Sequence, residues 1–129
     1  MRRRHNEQPL PVKKPAHFIG NSLEDLREFA DKMQDAFGAA IQKAQWGSKA
    51  ASAVPLRGYT GSGVLEVVEQ HDGRAYRAVY TVRLSKAIYV LHVFEKKSTQ
   101  GIKTPQKHID TVNSRLRMAE IHHAEHYSE

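Results

Sequence analysis

The chain contains no cysteine, and its 129 residues include only one tryptophan. The absence of thiols excludes disulfides, thiolate zinc sites, iron–sulfur clusters and a cysteine nucleophile, and it is typical of a reducing compartment such as the cytoplasm. No apolar run approaches the roughly 20 residues that a membrane-spanning helix needs. The basic N-terminus lacks the apolar segment of a secretory signal. These absences predict a cytoplasmic protein with no membrane contact and, at this length, one folded domain.

Positive charge is concentrated in two parts of the chain. The formal net charge is +6; residues 1–14 hold five Lys/Arg and one Glu, whereas residues 57–107 hold nine Lys/Arg and four Asp/Glu. Such blocks are typical of a protein with a polyanionic partner, nucleic acid first, and a general surplus of charge for solubility is the equal alternative. Residues 1–14 are polar and contain two prolines, so we expect a disordered basic arm before a folded domain at 15–121.

The apolar pattern predicts an α+β domain. Residues 16–19 form a short extended segment. Apolar residues then recur at steps of three and four over 23–44, which predicts one helix or a helix pair bent at Gly38, with Trp46 in the core. Residues 48–62 have the composition of a loop. Three strands follow at 63–69, 75–83 and 87–96, the first two joined by a hairpin turn at Asp72-Gly73. A C-terminal helix starts at Thr104-Pro105 and frays beyond Glu120, which leaves a polar tail at 122–129.

Common catalytic motifs are absent from the sequence. We find no phosphate-binding Gly-rich loop, no dinucleotide fingerprint and no strained nucleophile turn, and no cofactor is predicted. His122 and His126 flank a glutamate in the inverted zincin order, one helical turn apart. The segment is polar on all sides and has no clear third ligand, so we predict a solvated tail and no metal site.

Strand alternation places several cations on one side of the predicted sheet. Arg77 and Arg83 point to the same face of the middle strand, and His92 and Lys96 share a face of the last strand with Val90 and Phe94. If these faces coincide, the cations converge and can hold phosphates and stabilise a reacting phosphodiester. Ordinary solvated charge on a sheet is the alternative.

Five segments together resemble the RelE/ParE toxin superfamily. They are AVPLRG at 53–58, GVLEVVE at 63–69, YRAVYTVR at 76–83, YVLHVFEKKS at 89–98 and GIKTP at 101–105. The last two are similar to the phage-associated HigB-type branch. The resemblance covers about residues 18–119 and implies a RelE-like fold, in which a small antiparallel sheet of a three-stranded meander and a short N-terminal strand packs with an N-terminal helix or helix hairpin and a C-terminal helix.

The resemblance implies the toxin of a type II toxin–antitoxin pair. Relatives of the RelE and HigB kind cut mRNA on the ribosome without a metal, through attack of a ribose 2′-hydroxyl on the adjacent phosphate. The implied partners are a helix-turn-helix antitoxin of the HigA kind, the ribosome with its mRNA, and operator DNA through the antitoxin complex. A ParE-like inhibitor of DNA gyrase and a non-catalytic interaction module are the alternatives.

The resemblance also implies roles for individual residues. Arg77 matches the arginine that contacts the scissile phosphate, and Lys97 falls where relatives place a second cation, with Lys96 beside it. Glu66 stands where RelE has a catalytic lysine, so the general base is open among Glu66, His92 and Lys103. The remaining candidates for RNA binding are Arg57, Arg83, Lys103 and Lys107. The C-terminal tyrosine of RelE has no counterpart here.

Overall fold

A single five-stranded sheet organises the chain. The computed structural model describes residues 12–59, 61–96 and 104–127. The elements, in chain order, are β1 Ala16–Phe18, α1 Ser22–Arg27, α2 Asp31–Gln45, β2 Ala53–Pro55, β3 Val64–His71, β4 Arg74–Thr81, β5 Ile88–Lys96 and α3 Gln106–Tyr127. The predicted α+β class is confirmed, and residues 1–11 of the predicted arm lie outside the described residues.

The sheet is mixed, with the order β1-β5-β4-β3-β2. The meander β3-β4-β5 is antiparallel as predicted, and β1 joins it by parallel pairing with β5. The β3–β4 turn has the predicted chemistry, since Asp72 and Gly73 both have positive φ angles, 53° and 74°. Strand β2, which is three residues long, was predicted as loop. Its backbone hydrogen bonds form through antiparallel pairing with β3, and local composition does not reveal such a tertiary contact.

Both faces of the sheet are covered by helices. Apolar side chains of α1 and α2, such as Leu26 and Phe37, pack with Val67, Ala78 and Tyr80 on one face. The opposite face packs on α3, where Ile109, Val112, Leu116 and Ala119 are buried with Val64, Val79, Tyr89, Leu91 and Phe94. The face that the sequence left unassigned is therefore closed by the last helix.

The N-terminal helical stripe forms a helix pair, which was one of the two predicted arrangements. The break lies between Arg27 and Asp31, and Gly38 is in the interior of α2 rather than at a bend. Trp46 ends α2 with 48% of its surface exposed, so its assignment to the core was wrong. The apolar stripe ends at Ala44, and Trp46 falls just beyond the last helical turn that faces the sheet.

The end of α3 is packed rather than frayed. The helix continues to Tyr127, whose hydroxyl lies 2.7 Å from Nε2 of His17, and the Tyr89 hydroxyl lies 2.7 Å from Nδ1 of His122. The rings of His17 and His122 are 4.6 Å apart. The prediction of fraying beyond Glu120 was wrong because these polar aromatic side chains find partners on β1 and β5, which a count of apolar residues does not show.

Strand β5 contains an irregularity that changes which side chains share a face. Val79 pairs with His92 but Tyr80 pairs with Val90, so Leu91 is an extra residue in β5. Val90 therefore faces α1 and α2, whereas Leu91 and Phe94 both face α3. The predicted grouping of Val90 with His92 and Phe94 was wrong, because a bulge interrupts strict alternation.

Candidate active site

A buried ion pair lies at the centre of the α3 side of the sheet. Glu66 on β3 pairs with Val79 and Arg77 on β4 pairs with Val68, which makes Glu66 and Arg77 diagonal neighbours on one face. Nη1 of Arg77 donates to Oε2 of Glu66 over 2.7 Å. Glu66 is fully buried and Arg77 is 7% exposed. Adjacent antiparallel strands thus fix the arginine in position.

Two further cations approach this pair. Lys96 ends β5 two residues after Phe94, which pairs with Arg77, so it continues the same face. Burial lowers the pKa of Lys96, the charges of Arg77 and Arg57 lower it further, and Glu66 opposes the change. Nε of Arg57, just after β2, lies 3.9 Å from Oε1 of Glu66, and its side chain is 48% exposed. We call Arg57, Glu66, Arg77 and Lys96 the cationic cluster.

The cationic cluster carries excess positive charge and unused hydrogen-bonding capacity. Three cations surround one carboxylate, which favours an anionic ligand. Oε1 of Glu66 and Nε of Arg77 are buried with no hydrogen-bond partner among the described residues. Buried polar atoms of this kind are uncommon in native proteins, and Nε of Arg77 is a donor that an anion can accept from.

The start of α3 joins the cationic cluster. Nη1 of Arg77 lies 3.4 Å from Oγ1 of Thr104, a buried residue just before the helix. The sequence predicted Thr104 as the helix cap; the helix begins at Gln106, and the threonine hydroxyl accepts from Arg77 instead. Sequence reasoning missed this contact because it joins residues 27 positions apart.

A pair of histidines lies between the sheet and α3. Nε2 of His92 is 2.8 Å from Nδ1 of His108, and the His108 ring stacks on Phe94 with centroids 3.8 Å apart. Burial lowers the pKa of His92 to about 4, and His108 and Arg115 add to the effect. Burial also lowers the pKa of His108, followed by the charges of Lys107 and Arg77. His108 was not a sequence candidate, although it directly follows Lys107 on the first turn of the predicted helix.

The other predicted residues are distributed as follows. Arg83 lies beyond the end of β4 and pairs with Glu120 of α3 over 3.2 Å, so it is engaged away from the ion pair. Lys107 is exposed on α3 beside His108. Lys97 and Lys103 lie outside the described residues.

The histidine-rich end of α3 contains the inverted zincin order that the sequence shows at His122 and His126. Nδ1 of His126 bonds the backbone carbonyl of His122, and the two rings stack with centroids 3.9 Å apart. Across the described ranges, no group of three or more His, Asp or Glu side chains is arranged to hold a metal ion. No helix in the same ranges has the length and apolar character needed to cross a membrane.

Comparison with solved structures identifies the class of fold. A mutant of the E. coli toxin RelE in the free state matches with a TM-score of 0.52 and 14% sequence identity, over 83% of this chain and 98% of the toxin. The fold is therefore RelE-like. Among curated protein sequences, none matches this chain.

Comparison with protein families gives the narrower assignment. Residues 24–117 match the family described as phage derived protein Gp49-like (DUF891). The chain belongs to this phage-derived Gp49-like family. The residues that match this family lie within the RelE-like fold.

Proposed function

We propose that this protein is the toxin of a type II toxin–antitoxin pair, of the HigB kind, and that it cleaves mRNA on the ribosome. The observation that carries the proposal is the cationic cluster, in which cations from three elements surround Glu66 beneath the start of α3. An RNA phosphate is the anion that such a cluster suits. In the reaction, the ribose 2′-hydroxyl loses its proton to water as its oxygen bonds to the adjacent phosphorus. The bond from phosphorus to the 5′-oxygen breaks, and the 5′-oxygen takes up a proton from water, which leaves a 2′,3′-cyclic phosphate and a 5′-hydroxyl.

The burial of each residue indicates its role. Arg57 is the exposed member and contacts the phosphate directly. Arg77, held by Glu66 and Thr104, and Lys96 lie beneath it and supply fixed positive charge toward the phosphorane that develops. Glu66 acts as a positioning residue for Arg77, since its Oε2 is engaged and its side chain is 1% exposed.

The test is to express the protein in bacteria and map RNA 5′ ends. We expect growth arrest and cleavage of translated messages, and a loss of cleavage of about 100-fold in Arg57→Ala, since removal of one preorganised donor costs this much in related sites. Arg77→Lys keeps the ion pair with Glu66 and so the fold, but loses the guanidinium, and we expect a similar loss. Arg74→Ala is the matched control, because Arg74 lies on the same strand but is exposed and pairs with Glu95.

Two results would contradict the proposal. Intact messages in growth-arrested cells would exclude mRNA cleavage, and an accompanying change in DNA supercoiling would support the ParE-like inhibition of gyrase instead. Equal cleavage by the wild type, Arg57→Ala and Arg77→Lys would separate the activity from the cationic cluster.

A toxin of the proposed kind needs an antitoxin, and we propose that its partner is a helix-turn-helix protein of the HigA kind that also binds operator DNA. Co-expression of the product of the adjacent gene tests this. We expect rescue of growth and co-purification of the two chains; growth arrest that persists despite a stable neighbouring protein would exclude that protein as the antitoxin.

A further inference from the structure

The histidine pair His92 and His108 has its proton positions set by a neighbouring arginine. Nη1 of Arg115 donates to the backbone carbonyl of Leu91 over 3.0 Å and lies 3.4 Å from Nδ1 of His92. An arginine has only donors, so Nδ1 of His92 must accept. Nε2 of a neutral His92 then carries the proton and donates to Nδ1 of His108. Nδ1 of His108 is therefore an acceptor, and its own proton resides on Nε2.

Packing fixes the rings in this arrangement. His92 and Phe94 stack with centroids 4.7 Å apart, and Phe94 and His108 stack with an interplanar angle of 15°. His92 is 9% exposed and has both nitrogens engaged by the protein, whereas His108 is half-buried and near enough to sense the charge of Arg77. Of the two histidines, His108 has a nitrogen, Nε2, that forms no hydrogen bond within the described ranges 12–59, 61–96 and 104–127 and so can bind a ligand.

We propose that His108 binds a phosphate oxygen of RNA through its Nε2–H as a neutral hydrogen-bond donor, and that His92 and Arg115 are positioning residues that hold it in this tautomer. The inference rests on the proposed function, since it supplies that function with a further phosphate contact beside the cationic cluster. It also removes His92 from the candidates for the general base, because a base must present a free lone pair to the substrate.

The same geometry argues against proton transfer by His108. As a base, Nε2 would have to lose its proton to Nδ1, and this would force two donors against each other along the chain from Arg115 to His108. As an acid, the ring would have to be protonated on Nδ1 as well, which would break its bond with His92. Burial, Lys107 and Arg77 all lower the pKa of His108, so the neutral ring predominates at pH 7.

The first test measures the tautomer directly, without RNA or activity. In ¹⁵N NMR spectra of the imidazoles at pH 7, we expect His92 and His108 both as the Nε2–H tautomer. Arg115→Met should produce a mixture of tautomers at both rings. A pure Nδ1–H tautomer of His108, or spectra unchanged by Arg115→Met, would overturn the proposal.

The second test separates hydrogen bonding from proton transfer. Glutamine places an amide N–H near the position of Nε2, so we expect His108→Gln to bind a short RNA with 2′-O-methyl riboses nearly as well as the wild type. His108→Ala should lose about tenfold in affinity. His71→Gln, at the end of β3, is the matched control and should bind like the wild type.

The outcomes distinguish this inference from the proposed function. Normal RNA affinity and cleavage in His108→Ala would overturn the role of His108 and leave the nuclease intact. Weakened binding in His108→Ala without cleavage by the wild type would retain the donor and reject the nuclease. A pH dependence of cleavage in the wild type that vanishes in His108→Gln would identify proton transfer and overturn the proposal.

Discussion

Glu66 and Arg77 form an ion pair in the protein interior, where each charge depends on the other. Removal of water from a carboxylate is costly, and in the described part of the chain the bond to Arg77 and the nearby charges of Arg57 and Lys96 compensate Glu66. An ion pair of this kind stabilises the fold only in comparison with a protein in which one of the two charged residues remains without its partner. The pair joins β3 to β4 through two specific side chains on the side of the sheet that α3 covers.

A double-mutant cycle tests this dependence. Arg77→Met should lower the free energy of unfolding by about 3 kcal/mol, because Glu66 remains charged and buried without its partner. Glu66→Leu combined with Arg77→Met should recover most of that loss, since the charge is gone. Urea denaturation measures both, with Arg74→Met as the exposed control, expected to change stability by less than about 1 kcal/mol. Equal losses in the single and the double variant would contradict the account.

His92 predicts the response of stability to acid. Its pKa is about 4 in the folded chain against an ordinary value of 6.5, so the unfolded chain binds a proton that the folded chain does not. The stabilisation is complete above pH 6.5 and is lost as the pH falls toward 4, with a loss of about 2 kcal/mol by pH 5. His92→Gln should show a correspondingly smaller loss between pH 7 and pH 5 in urea denaturation. The same loss in both proteins would assign the acid sensitivity to other groups.

Gly20 and Gly38, both in the helical half of the chain, differ in whether the structure requires glycine at that position. Gly20, before α1, has a φ of +60°, and a Cβ atom there would lie 2.7 Å from Nε of Arg115. Gly38 lies in the interior of α2, and in the described part of the chain nothing would come within 4 Å of its Cβ. Only Gly20 is needed for its backbone conformation and for close approach.

These positions allow a matched pair of substitutions. Gly20→Ala should destabilise the protein by about 1.5 kcal/mol, because the left-handed conformation is strained for alanine, and the contact with Arg115 adds to the cost. Gly38→Ala should stabilise it by about 1 kcal/mol, since alanine favours the helix interior. Thermal denaturation of both variants checks the signs. A destabilised Gly38→Ala would mean that α2 bends at this residue after all.

The elements differ in how far local sequence specifies them. The steps of three and four residues in α2 and the Asp72-Gly73 turn are local signals, and both elements were predicted. The bulge at Leu91 is not local, because it follows from the pairing of β5 with β4 in a register that also buries Val93 and Phe94 on opposite faces. Because of this one extra residue, His92 faces α3, where it forms the pair with His108.

In the whole molecule, the cationic cluster lies on the side of the sheet that α3 covers. The cationic cluster draws on residues after β2 and on β3, β4 and β5, and Thr104 at the start of α3 bonds Arg77. The basic N-terminal residues stand apart from this arrangement in the sequence. Lys14 belongs to the folded part, because its backbone exchanges hydrogen bonds with Gln45.

Deletion of residues 1–11 tests the role of the basic arm. These residues hold three arginines and one glutamate, and the deletion spares the contacts of Lys14. We expect weaker RNA binding and a slope of log affinity against log salt that is shallower by about 2, since each phosphate contact to single-stranded nucleic acid contributes about 0.7. Cleavage at saturating RNA should persist. An unchanged salt slope would show that the arm does not contact RNA, and lost cleavage would place it in the active site.

The identities and order of residues were sufficient for the α+β class, the helical stripe and the meander, and they predict Arg77 and Lys96 as the cations of a site. Each rests on a short-range period or on a charge at a fixed position in a strand. The ion pair of Arg77 with Glu66, the role of Thr104, the packed end of α3 and the pair His92–His108 all join residues from different elements. They depend on strand register, on one bulge and on the angle at which α3 crosses the sheet. Because those quantities come from packing the whole chain, the tertiary structure alone decided which of the polar residues form a site.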